Sequence, residues 1–178
     1  MAYHKLSFKI HALMQVLAAG LFIFTTMSCL YFSLDQPILW VVGISSLASS
    51  AFLVFCVPHS MSASPKRIVC GYALSMVIGL LTHMALETVC RHCELGNSSI
   101  QSIMIAASLA LSITLLLMVV LRVAHPPAAG VVLVIVIQHH IVLNILVLLT
   151  AALALAFVRL LFGRYLVDLI KRPTGIHK

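Results

Sequence analysis

Apolar residues run along this chain in long blocks separated by a few charged positions, and the blocks set its elements. The stretches Ala12 to Ser33, Pro37 to Val57, Ile68 to Leu86 and Ile100 to Leu121 hold no Asp, Glu, Lys or Arg. Each is close to the roughly 20 residues a helix needs to cross a bilayer. The next uncharged stretch, Val123 to Val158, is too long for one such helix and too short for two of full length with a turn. One limb must be short. The polar Gln138-His139-His140 places it at Ala128 to Ile137, followed by a full-length Ile141 to Val158. The expected fold is an all-α membrane protein, a single transmembrane domain over residues 1–178. It has about six membrane segments: four or five full spans plus the short half-helix.

The short limb follows His125-Pro126-Pro127. Consecutive prolines cannot continue a helix, because each lacks an N–H and the second disfavours the α region for its predecessor. A helix broken at membrane depth is tolerated only where protein or a watery cavity surrounds it, so this break marks the expected functional site. Composition supports the membrane setting: 62% of residues are hydrophobic and 8% charged, against about 25% charged in a soluble domain.

The net charge of +7 is mostly a topology signal. Lys5 and Lys9 precede the first block, Lys66 and Arg67 follow the second, and Arg122 follows the fourth. Arg159, Arg164, Lys171 and Arg172 crowd the end. All fall on one side if the short limb and the last span form a pair, and short basic loops face the cytoplasm. The other side carries Asp35, then Glu87, Arg91 and Glu94. Both termini are therefore expected in the cytoplasm, in a bacterial inner (plasma) membrane. Nucleic-acid binding is not expected, since the basic residues are spread over juxtamembrane positions. The N-terminal apolar run is too long, and lacks the small-residue cleavage site, for a signal peptide. Phe157 to Arg172 keeps helical spacing and is expected to leave the bilayer as a surface helix ended by Pro173 and Gly175.

A weak internal repeat aligns Ser46-Leu47-Ala48-Ser49-Ser50-Ala51 with Pro126-Pro127-Ala128-Ala129-Gly130-Val131: small residues, then a short apolar helix. Each copy is the middle of three segments, repeat 1 about 12–86 and repeat 2 about 100–166. Units with an odd number of crossings recur inverted, as in many transporters. Two half-helix N-termini converging near the midplane would favour an anion through unpaired N–H groups and partial positive charge. The competing reading is close helix packing through small residues.

Ala124-His125-Pro126-Pro127-Ala128-Ala129-Gly130 resembles the HPP family of integral membrane proteins. So do Ser49-Ser50-Ala51-Phe52-Leu53-Val54-Phe55, Pro58-His59-Ser60, and Ser64-Pro65-Lys66-Arg67 leading to Gly71. The likeness covers roughly residues 37 to 158. Members of that family are implicated in nitrite transport, which the resemblance implies for this chain. Ser46-Leu47-Ala48 replaces a commoner Pro-Phe-Gly type of sequence, which implies a softer first break and leaves room for a different substrate. The CBS domain of some relatives has no counterpart here, so adenine-nucleotide regulation is not expected.

The candidate anion-site residues are Ser46, Ser49, Ser50, His59, Ser60, Pro65, Arg67, His125, Pro126 and Pro127. Serines offer hydroxyls, Arg67 a charge, and His59 and His125 groups that titrate near neutral pH. Each has a plainer reading: Lys66 and Arg67 as positive-inside anchors, His125 as a helix cap. Gln138, His139 and His140 line a vestibule or meet headgroups. Cys90-Arg91-His92-Cys93 lacks the second pair a structural zinc wants, and its expected external position favours a local disulfide or free thiols. Cys29, Cys56 and Cys70 read as packing residues. His83 is ionisable within a span; a haem role would need a second mid-span His. Transport of a small inorganic anion, nitrite first, is the leading expectation, without enzymatic activity, metal or cofactor. A membrane redox protein and a non-transporting sensor or assembly subunit are the alternatives. The lipid bilayer is an expected partner, and a homo-oligomer is left open.

Overall fold

The computed structural model describes residues 2–33, 37–92, 100–137 and 141–170. Among them are six α-helices: α1 (Ala2–Ser33), α2 (Pro37–Cys56), α3 (Pro65–His92), α4 (Ile100–Val120), α5 (Pro126–Ile137) and α6 (Ile141–Phe162). Four carry stretches long and apolar enough to cross a membrane: Ile10–Ser28, Pro65–Val89, Ile100–Val120 and Ile145–Phe162. Asp35, Cys93, Glu94, Gln138, His139, His140, Lys171, Arg172, Pro173 and Gly175 lie outside the described residues.

The short limb is the centre of the molecule. α5 has 12 residues, about 18 Å at 1.5 Å per residue, well short of a hydrocarbon core of about 30 Å. It is apolar on every side, the pattern of a helix enclosed by protein. Its Ala128, Ala129, Val131, Val132, Val134, Ile135 and Val136 are all buried. α5 packs most heavily on α3, then on α2 and α4. Two glycines let α3 approach it. A Cβ on Gly71 would lie 2.9 Å from the Cβ of His125, and one on Gly79 would lie 2.9 Å from the Cβ of Ile135. Both contacts are with the root of a side chain, which cannot swing away. α1 is peripheral, lying along α2 and the edge of α6.

The α4–α5 connection is a tight reversal. Val123 N–H donates to the Met118 carbonyl at 2.9 Å and Arg122 N–H to Val119 at 3.1 Å, with Arg122 at φ 57°. This is the Schellman closure of a helix end, here with Arg in the left-handed position usually given to glycine. Buried Val123 and Met118 supply the apolar contact that goes with it. His125 is thereby delivered to the interior.

Two expectations are corrected. α2 runs unbroken through Ser46–Ser50, so there is one half-helix N-terminus, that of α5, rather than two converging. Serine hydroxyls bonded to the carbonyl four residues back, as at Ser49 (2.9 Å) and Ser50 (3.0 Å), let the helix pass through a polar cluster without breaking. Phe157 to Arg172 is not one surface helix. α6 ends at Phe162, the chain turns, and residues 163–170 fold back beneath the end of α2. Leu169 N–H caps the Cys56 carbonyl at 2.9 Å, and Leu166 is buried in the core. The reason is hydrogen bonding at a helix end: α2 stops at buried carbonyls, and the returning tail supplies a donor.

Gln15 of α1 completes this clasp, donating to the carbonyls of Phe55 (2.7 Å) and Val167 (3.1 Å). Arg159 donates to the Pro58 carbonyl at 3.0 Å. Asp168 accepts from the His59 N–H at 3.1 Å and lies 3.3 Å from its ring Nδ1.

Candidate functional site

The site is built where α2, α3 and the α5 start meet. Ser46 and Ser50, four apart, share one face of α2; Tyr72 comes from α3; His125 from the turn before α5. Ser50, Tyr72 and His125 are fully buried and Ser46 nearly so. Burying such groups is unfavourable unless they pair, and they do. His125 Nε2 lies 2.9 Å from Ser50 Oγ, and Nδ1 lies 2.8 Å from the Ser62 carbonyl. The Tyr72 hydroxyl lies 2.9 Å from Ser50 Oγ and 3.2 Å from Ser46 Oγ. Ser46 donates in turn to the Pro127 carbonyl. The rings of Tyr72 and His125 are tilted at 42°, with centroids 5.8 Å apart.

His125 lies in the turn, outside α4 and α5. Its burial pushes the imidazole below its ordinary value of 6.5, and the bond to the Ser62 carbonyl works against that shift.

Beside the network is a groove of about 530 Å³ lined by Ala48, Ser49, Phe52, Leu53, Ser62, Pro126 and Pro127. Ser62 and Pro127 belong to both, lining the groove while lending their carbonyls to the network. The groove is at the positive end of the α5 dipole. That end has few donors: Pro126 and Pro127 have no N–H, and the Ala128 N–H is taken by the His125 carbonyl at 2.9 Å. Of the two serines on the groove, Ser49 already donates its hydroxyl to the Ser45 carbonyl, so the Ser62 hydroxyl, not freed N–H groups, is what this helix start offers an anion.

Of the residues selected from sequence, the structure brings together Ser46, Ser50, His125 and Pro127, with Ser49 and Pro126 on the adjoining groove. Ser49 and Ser50 do not face one spot, because neighbours on a helix diverge by about 100°. The other four lie apart. His59 is exposed and engaged by Asp168. Ser60 caps the 3-10 turn Met61–Ala63 by accepting from the Ala63 N–H. Pro65 opens α3 and lines a different groove, between α3 and α6. Arg67 is half-buried in the first turn of α3. Tyr72 was missed, and Ser62, expected only as one of the hydroxyls of the 58–67 loop, joins the network through its carbonyl. Tyr72 carried a signal: a phenol inside an apolar span, next to Gly71, must find a partner for its hydroxyl.

His83 is placed away from this cluster, its Nδ1 3.2 Å from the Val136 carbonyl and its Nε2 3.3 Å from Glu87. In His83 and His125 both ring nitrogens are thus engaged, so a haem iron would have to displace an existing contact.

The transmembrane-region profile of the HPP family matches residues 6–173. A transmembrane protein of Dictyostelium discoideum is 33% identical over 85 residues, which is 48% of this chain. The matched part is 26% of that protein's length, so the chain spans about a quarter of this relative. No solved structure matches the chain.

Proposed function

This chain belongs to the HPP family of membrane proteins, and from that premise we propose that it carries a small monovalent anion, nitrite first among them, across a bacterial inner membrane. The observation that carries the reading is the groove at the interrupted helix. Ser49, Ser62 and the positive end of the α5 dipole border one opening, lined otherwise by apolar side chains and proline rings; with the Ser49 hydroxyl donated to the Ser45 carbonyl, Ser62 is the serine that would supply a hydrogen. Hydroxyls replace part of an anion's lost hydration, and the dipole favours its charge. The shortage of free N–H groups suits a conduit rather than a trap, since an ion must leave as readily as it enters. Lys66 and Arg67 stand at the same end of the molecule, where a basic cytoplasmic mouth would draw anions inward to the groove. Both termini are assigned to that side.

The test is flux into proteoliposomes with nitrite, nitrate, formate and chloride in parallel. We expect nitrite to move fastest and Ser49→Leu to block it by filling the groove, while Ser49→Ala is mild. Absence of flux for all four anions from a folded sample would remove this function.

A further inference from the structure

The proton positions in the buried network follow from donor and acceptor types. The Ser62 carbonyl can only accept, so His125 Nδ1 carries a hydrogen. In the neutral ring Nε2 then holds a lone pair, and Ser50 donates to it. Ser46 must donate to the Pro127 carbonyl, and Tyr72 donates to either serine oxygen. Every hydrogen has a place. Ser50 has a second acceptor within reach, the Ser46 carbonyl at 3.0 Å. An added proton on Nε2 is therefore accommodated without moving a heavy atom: Nε2–H donates to Ser50 Oγ, and the Ser50 hydroxyl turns to the Ser46 carbonyl.

We propose that His125 is a buried proton-binding site, read out by reversal of the Ser50 hydroxyl, and that this proton accompanies the anion in the adjoining groove, one for one. The coupling rests on the transport function above; the proton site does not. The groups set against the imidazole are Ser50 from α2, Tyr72 and Gly71 from α3, Ala128 from α5 and the Ser62 carbonyl. Tyr72 is the titratable one among them. Lys66, Arg67 and Arg122 are the charges on the flanking segments. An imidazolium here lies one layer behind the groove, because Ser62 and Pro127 line one and bond the other. It would hold an anion more tightly than the neutral ring does.

Protein labelled with ¹⁵N-histidine in lipid nanodiscs tests the site directly, with the His125 signals identified by their loss in His125→Gln. At alkaline pH the neutral ring is expected with hydrogen on Nδ1 and bare Nε2, and on acidification through and below the ordinary imidazole range both nitrogens should come to carry hydrogen. Ser50→Ala should lower the midpoint, because the charged N–H to oxygen bond it removes is stronger than the neutral one; Ser50→Thr should leave it in place. Hydrogen on Nε2 in the neutral ring, no second proton down to the lowest pH at which the protein stays folded, or an unmoved midpoint in Ser50→Ala would overturn the proposal. In proteoliposomes held without a membrane potential, an acid exterior should speed anion uptake. Flux indifferent to the gradient would overturn the coupling and leave transport intact. A His125 titration as expected, with no flux for any anion, would retire the transport function and uphold the proton site.

Discussion

Tyr72 has its hydroxyl between Ser46 and Ser50 at the depth where α2, α3 and the start of α5 meet. Tyr72→Phe keeps the ring and removes one donor shared by two serines. Such a loss in a buried site costs about 1–2 kcal/mol, so the variant should fold and melt a few degrees lower in detergent. An unchanged melting temperature would mean the phenol is not part of the network. His125 sets the pH dependence of the same region. Its folded value is depressed from 6.5, so as pH falls the unfolded chain takes up this proton first. The stability tied to it is whole above about 6.5 and is lost below that value. The melting temperature should fall between pH 7 and 5, and His125→Gln should flatten that fall while lowering the value at pH 7. Parallel pH curves for the two proteins would contradict the assignment.

Among elements, the pairing of α3 with α5 has the narrowest tolerance. Gly79→Ala sets a methyl 2.9 Å from the Ile135 Cβ and 3.3 Å from the Val132 carbonyl, and overpacking of this kind costs about 1–3 kcal/mol. Gly130→Ala, where a Cβ meets nothing within 4 Å, is the matched control. Thermal melts that fail to separate the two would show that α3 and α5 can part slightly without penalty. The short limb was legible in the sequence, because prolines act on their own backbone and the span length limits what can follow. The continuity of α2 was not, since a serine that bonds back along its helix and one that ends a helix look alike in sequence. The serine cluster was only partly legible for a related reason: Ser46 and Ser50 share a face by spacing, but which face meets His125 depends on where α3 and α5 stand. The fold-back of residues 163–170 was hidden for the same cause, as helical spacing cannot register that the end of α2 is waiting for a donor.

For the whole molecule, the ends of α2, α4 and α6 and the starts of α3 and α5 gather at one face, where the Gln15, His59, Arg159 and Asp168 bonds tie α1, the end of α2 and the segment after it, α6 and the tail together. That face carries Lys66, Arg67, Arg122, Arg159 and Arg164. A cysteine at the exposed Met61 should therefore resist a membrane-impermeant thiol reagent added outside intact cells, while one at the exposed Ile100 reacts, in a background with Cys90 and Cys93 changed to serine. Reaction of both from one side would be incompatible with a single basic face in the cytoplasm.

The clasp beneath α2 also dictates an order of assembly. His59 and Asp168, which close it, are 109 residues apart, so during synthesis the loop that presents the Ser62 carbonyl to His125 gains this tie only when nearly the whole chain has emerged. The spans can insert one by one, but the tie that braces the loop under the buried imidazole is made last. A chain stopped just after Phe162 would hold all six of these helices but lack Asp168, the partner of His59 in the loop beneath the polar centre.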